Sequence, residues 1–214
     1  MSPVDLYARA LHGQGARVRY RDGGSLPLDV STWSAVEAPG DEDLLSRCGS
    51  ATLDVGCGPG RLARALLGAG IACTGVDVAP AAVDLARARG AQVLHASVHD
   101  PLLDGTRWST VLLADGNIGI GGDPQALLRR SAALLAPGGR VVVELDPPAT
   151  PTRQVVVRLE SGAQASSWFP WAHVAVDDVA SVAASAGLQA VETWSAAGRH
   201  FASLRLPVAA QVAA

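Results

Sequence analysis

An acidic residue inside an apolar strand that runs straight into three alternating glycines, Leu53-Asp54-Val55-Gly56-Cys57-Gly58-Pro59-Gly60, constrains this chain more than any other feature. A helical pattern starts at Arg61. Glycines let the backbone turn tightly from strand to helix and bring main-chain N–H groups against a ligand, while the helix start points its positive dipole end at anionic groups. A turn of this kind also closes purely structural strand-helix junctions, so its neighbours decide the reading.

A second apolar strand, 71–78, carries Gly75-Val76-Asp77 at its end, with Asp77 seventeen residues beyond Gly60. A carboxylate there accepts hydrogen bonds from the ribose hydroxyls of a nucleoside cofactor. Two ligand classes fit. A dinucleotide calls for G-x-G-x-x-G, but Gly56, Gly58 and Gly60 read G-x-G-x-G, and Asp54 would repel a pyrophosphate. S-adenosylmethionine carries an ammonium, a sulfonium and an adenosine ribose, so Asp54 near the methionyl end and Asp77 at the ribose make chemical sense together. In the alternative reading Asp54 merely caps the helix.

With these residues in place the chain resembles the class I S-adenosylmethionine-dependent methyltransferases. Val111-Leu112-Leu113-Ala114-Asp115-Gly116-Asn117 looks like the end of that family's fourth strand, and Pro137-Gly138-Gly139-Arg140-Val141-Val142-Val143-Glu144 like the turn into its fifth. The resemblance covers residues 45–148. It implies an α/β fold: a doubly wound, mostly parallel seven-stranded sheet with helices on both faces and an antiparallel last strand. It implies S-adenosyl-L-methionine as cofactor, with S-adenosyl-L-homocysteine as product, held by Asp54, Gly56, Cys57, Gly58, Gly60, Asp77, Val78, Ser97, Val98, Asp115, Gly116 and Asn117. Many family members place an acid after the third strand for the adenine amino group. Ser97 stands there in this chain, with the Val98 N–H or Asp100 as substitutes.

Hydrophobic periodicity places strands at 53–56, 71–78, 91–98, 109–115 and 140–146 and helices at 60–68, 80–89 and 124–136. Beyond Asp146, strands at 153–160 and 167–176 flank Ser161-Gly162-Ala163, a helix follows over 177–186, and strands 188–195 and 200–206 form the closing hairpin. A further hairpin over 17–21 and 26–30 surrounds Asp22-Gly23-Gly24. The chain reads as one methyltransferase domain: an N-terminal cap or plain extension (1–44), a cofactor-binding core (45–148), an inserted hairpin (149–176) and a closing helix and hairpin (177–214). Ligands of open α/β sheets bind beyond the carboxyl ends of the strands. The insertion leaves one of those ends, so it is a candidate wall of an acceptor site.

The insertion holds Trp168-Phe169-Pro170-Trp171-Ala172-His173, three of the nine aromatic residues within four positions. Trp168, Trp171 and His173 are candidate acceptor-binding residues, and equally a packing or partner surface. Asp115 and His173 are the catalytic candidates, His173 as a base and Asp115 more as an orienter; His99 reads as structural. Gly116 to Asp123 reads as a close-approach loop beside the sulfonium. Asp146-Pro147-Pro148 reads as a loop that ends the fifth strand.

The net charge of -3, without a basic tract, disfavours nucleic-acid substrates. No metal-ligand spacing is present: Cys48, Cys57 and Cys73 read as reduced structural thiols. Neither a signal peptide nor a membrane-spanning run is read, which favours the cytoplasm. The expectation is methyl transfer to a small-molecule acceptor, with a protein or RNA acceptor, or a non-catalytic binding role, as alternatives.

Overall fold

The structure is a computed structural model that describes residues 1–207; positions 208–214 of the expected closing segment lie outside the described residues. The chain runs α1 (Pro3–Leu11), β1 (Arg17–Tyr20), β2 (Ser25–Pro27), α2 (Val30–Ser34), α3 (Asp41–Leu45), β3 (Ala51–Val55), α4 (Arg61–Gly68), β4 (Ala72–Asp77), α5 (Pro80–Ala88) and β5 (Val93–His95). It continues with β6 (Trp108–Leu113), α6 (Pro124–Ala133), β7 (Leu135–Leu145), β8 (Arg153–Ser161), β9 (Gln164–Ala165), β10 (Phe169–His173), α7 (Val179–Ser185), β11 (Gln189–Ala196) and β12 (Arg199–Arg205).

Seven strands form one sheet in the order β11-β12-β7-β6-β3-β4-β5. The five from β7 to β5 are mutually parallel, and β12 lies antiparallel to both β7 and β11. Leu53 and Val55 on β3, and Val111, Leu112 and Leu113 on β6, are fully buried. That is how central parallel strands covered by helices on both faces read in sequence, as continuous apolar runs. Strand order reverses between β3 and β6, which places the ligand crevice of such a sheet beside Asp54 and Asp115.

A second sheet, in the order β10-β8-β1-β2 with β9 on the end of β8, joins the N-terminal hairpin to the inserted one. The register sets Tyr20 beside Val157 and Val157 beside Phe169, one row across three strands, and Val18 beside Leu159. By the alternation of strand side chains these residues share one face, and that face looks onto the carboxyl ends of the parallel strands.

The elements expected from the sequence all form, with shifted ends. The strand expected over 91–98 pairs only at Val93–His95. Helix α6 ends at Ala133, short of Pro137, because the chain already re-enters the sheet at Leu135, opposite Trp108. The strand expected over 167–176 is confined to Phe169–His173, and the helix expected over 177–186 opens with a 3-10 turn at Val176–Asp178. Helix α1 is an addition to the expected elements, although its start is written plainly: Ser2 accepts from the Asp5 N–H, and Asp5 accepts from the Ser2 N–H, a reciprocal cap.

Candidate active site

A cavity of about 410 Å³ lies between the two sheets. Its floor is the glycine turn. Gly56, Gly58 and Gly60 all take positive φ, which an L side chain rarely adopts. Their surroundings differ. A Cβ on Gly58 would stand 3.1 Å from the Tyr7 hydroxyl, and one on Gly56 would collide with the Asn117 amide. A Cβ on Gly60 would meet Ala86 of α5 at 2.9 Å, so Gly60 serves helix packing and does not line the cavity. Asn117 ties the turn down by donating to the Val55 and Gly56 carbonyls at 2.8 and 3.0 Å.

Asp77, at the end of β4, accepts from the Gly58 N–H at 2.9 Å and from the Ala79 N–H at 2.8 Å. Burial pushes its carboxyl up, against those N–H groups. Asp54 is buried to 1% exposure, and its Oδ2 has no hydrogen-bond partner among the described residues. Burial, reinforced by the charge of Asp115, lifts its carboxyl to about 7. Cys57, Val78, Ser97 and Val98 also line the cavity; Gly116 does not, and His99 is exposed away from it.

Asp115 follows β6 with φ 53, a left-handed conformation unusual for a non-glycine residue. Its N–H donates to Glu144 at 2.6 Å. Both carboxylate oxygens accept from Arg61 at 2.7 Å, a fork geometry that leaves this acid little freedom as a proton carrier. Arg61 also pairs with Asp41, and Arg199 bridges Asp41 at 2.8 Å and Glu144 at 2.7 Å. Burial alone would raise Asp41, but Arg61 and Arg199 overcome it and hold its carboxyl below the usual range. Three carboxylates thus share two guanidinium groups next to Asp54. The wall at this end carries excess negative charge.

The opposite wall has other chemistry. Val18, Tyr20, Leu28, Trp33, Phe169 and Trp171 line it, and none is charged. Of the two tryptophans singled out in the sequence, Trp171 lines the cavity and Trp168 does not: it lies on the outer face of the second sheet, between the guanidinium groups of Arg21 and Arg158 at 5.2 and 4.7 Å from its ring. The strand turns its alternate neighbours to opposite faces, and Trp168 falls on the wrong one. His173 also stands back from the cavity, behind Tyr20, whose hydroxyl meets its Nε2 at 3.1 Å. The glycine run after Asp115 serves protein packing: a Cβ on Gly119 would strike Trp171 and the Ala172 carbonyl, and one on Gly122 would strike Pro170. Its glycines let β10 approach.

Sequence reasoning did not single out Arg61, Asp41, Glu144 and Arg199, which meet only in three dimensions. Tyr7 and Tyr20 lie in no motif that would mark them in the sequence.

Residues 52–139 match the family model described as a methyltransferase domain. No curated protein sequence matches the chain. Among solved structures, a SAM-dependent methyltransferase from Bacteroides fragilis in complex with S-adenosyl-L-homocysteine superposes with a TM-score of 0.80 at 19% identity, covering 96% of this chain and 94% of that one. The CcbJ methyltransferase from Streptomyces caelestis gives 0.63 at 20% identity, over 84% of this chain and 96% of its own. The 1,6-didemethyltoxoflavin-N1-methyltransferase of Burkholderia thailandensis gives 0.58 at 23% identity, over 94% and 86%. At these identities the structures speak for the fold, and the family model speaks for the segment that holds the glycine turn, Asp77 and Asp115. Residues 52–139 thus match a methyltransferase domain, and the chain has the fold of the class I S-adenosylmethionine-dependent methyltransferases.

Proposed function

We propose that the protein transfers a methyl group from S-adenosylmethionine to a small, largely apolar acceptor held between its two sheets. The observation that carries this is the division of one cavity into a carboxylate-rich end and an uncharged aromatic end. The residues fit the cofactor: Asp54 Oδ2 is a buried acceptor without a partner among the described residues, beside an excess of carboxylates, where a cationic group gains most. When bound, the cofactor supplies a methyl carbon on a sulfonium sulfur, which keeps the bonding pair as a neutral thioether once the methyl has left.

In this reading Asp77 accepts from the ribose, Ser97 and Val98 flank the adenine, and Asp54 faces the cationic methionyl end. Gly56, Cys57, Gly58, Val78 and Asn117 shape the groove. Asp115, clamped by Arg61, orients ligands. Trp171 shapes the acceptor end, and the second sheet shields the reaction from water. Segments 1–44 and 149–176 act with the core as one catalytic unit.

A small acceptor suits a cavity of this volume and a chain of net charge -3, which offers no basic track for RNA. The Burkholderia neighbour, solved with 1,6-didemethyltoxoflavin bound, and the sugar N-methyltransferase KedS8 also point toward small acceptors. The cytoplasm is the compartment proposed, in line with three free cysteines; no helix among the described residues is long and apolar enough to cross a membrane. Calorimetric titration with S-adenosylhomocysteine and with NAD tests the cofactor: only the former is expected to bind. A methyl-transfer screen over small metabolites, peptides and RNA tests the acceptor class. Product on RNA or peptide alone would overturn it.

A further inference from the structure

The uncharged wall carries one group able to handle a proton. Tyr20 lines the cavity, and its hydroxyl meets His173 Nε2 at 3.1 Å. His173 Nδ1 meets Asp146 Oδ2 at 3.1 Å. The polarity of this chain of hydrogen bonds is fixed by chemistry. An ionised carboxylate only accepts, so Nδ1 carries the imidazole proton, Nε2 is the bare nitrogen, and the Tyr20 hydroxyl donates to it. The phenol oxygen then has only lone pairs left to offer the cavity.

Asp146 is well placed to hold this order. It follows β7, and its N–H donates to the Val174 carbonyl at 2.9 Å while its carbonyl accepts from the Val176 N–H at 3.0 Å. Its Oδ2 accepts also from the Val174 N–H at 3.2 Å. The acid is thereby locked to the strand that carries His173. The Asp-Pro-Pro motif has this job beyond ending a strand. Side-chain exposure is 24% at His173 and 32% at Asp146, so both groups reach water. The other charges facing it are Arg153, opposite His173 in register and 5.8 Å from the Tyr20 ring centre, and Asp22, its ion-pair partner at 2.5 Å.

We infer that Tyr20 is a catalytic residue that receives the proton of the acceptor, and that His173 and Asp146 are the positioning residues that draw it out. This rests on the cavity being a methyl-transfer site and names the acceptor as a flat, uncharged molecule with a hydroxyl or ring N–H that is not ionised at neutral pH. The acceptor heteroatom bonds to the methyl carbon and gives its proton to the Tyr20 oxygen. The phenol passes its own proton to His173 Nε2, and the imidazolium, stabilised by Asp146, releases one to water. The phenol ends as it began.

Two measurements test this on the full chain loaded with S-adenosylhomocysteine or with S-adenosylmethionine. In the first, nitrogen-15 spectra of the histidines in the S-adenosylhomocysteine complex should show His173 protonated on Nδ1 alone above neutral pH. Added phenol should move the Nε2 resonance in wild type and not in Tyr20→Phe, and Asp146→Asn should let the proton spread over both nitrogens. In the second, with S-adenosylmethionine at about pH 8, Tyr20→Phe should lower turnover of phenol, still protonated there, by about tenfold or more. The same variant should keep turnover of 4-nitrophenol, already largely phenolate, within about threefold. A proton on Nε2, a Nε2 resonance indifferent to phenol, equal losses on both phenols, or methylation of neither overturns the assignment. Wild type that fails to bind S-adenosylhomocysteine overturns the methyltransferase reading instead, and calorimetry reads that separately.

Discussion

The two ends of the cavity are built by different means. The end at β3, β4 and β6 is made of turns, where Asp54, Gly58, Asp77 and Asp115 each sit at or close to the last residue of a parallel strand, and it is charged. The facing end is made of one face of β1, β8 and β10 with Leu28 and Trp33 beside it, and it is apolar apart from Tyr20. A ligand that is always the same rewards fixed charges and tight backbone turns, since hydrogen bonds to charged groups are strong and directional. A ligand that differs from one family member to the next is selected by shape, which apolar side chains on a pleated surface can alter one residue at a time.

The sharpest way to break this contrast is at the floor. Gly58→Val should abolish S-adenosylhomocysteine binding, by about a hundredfold or more, because φ is 53° and the new side chain would press on the Tyr7 hydroxyl. A folded variant with wild-type affinity in calorimetry would move the cofactor elsewhere. Asp77→Ala comes next. Charge-assisted hydrogen bonds are worth about 1.5 to 3 kcal/mol each, so affinity should fall about tenfold or more, with near-UV dichroism unchanged.

Asp54→Asn probes the charge itself. The folded protein holds the Asp54 carboxyl at about 7 against an ordinary 3.8. Between these values the native state binds more protons than the unfolded one, so this residue costs stability as pH rises through the window, and the cost stays above it. The variant should therefore melt with wild type at about pH 4 and a few degrees above it at about pH 8, while binding S-adenosylhomocysteine more weakly. A melting difference that shrinks with rising pH would contradict burial as the cause of the raised carboxyl.

The smallest effects separate two tryptophans three residues apart. Trp171→Ala should raise the acceptor KM or lower turnover several-fold and leave S-adenosylhomocysteine affinity within about twofold. Trp168→Ala should touch neither, and should cost about 1 kcal/mol from the loss of its contacts with Arg21 and Arg158. Equal losses of acceptor turnover from both would place the acceptor across the second sheet, not inside it.

The two ends also differ in how far they are legible in the sequence. Leu53 to Gly60 and Gly75 to Asp77 announce strand, turn and acid within a few residues, so the crevice, its strands and most of its lining can be read directly. The facing wall cannot. Both hairpins carry local signals, but the pairing of Tyr20 with Val157 joins segments more than a hundred residues apart, and nothing near either one encodes it. The face of each aromatic follows from that pairing, which is why Trp168 and Trp171 could not be told apart. The network of Asp41, Arg61, Asp115, Glu144 and Arg199 is likewise gathered from five separate stretches of chain.

That pairing bears on the order of assembly. Strand β1 lies between β2 and β8, and Arg19 meets Glu160 across 141 positions of sequence. Closing a loop of that length adds little entropy beyond a short one, but pairing over such separations is slow. Each strand of the large sheet from β3 to β7 finds a partner from within the segment it spans, whereas β1 pairs on one side with β8, beyond all of them in the chain. The wall facing the crevice therefore rests on contacts of far greater sequence separation than the strands β3 to β7 that form its floor, and a change in the long segment between β1 and β8 would reach that wall without touching a residue of it.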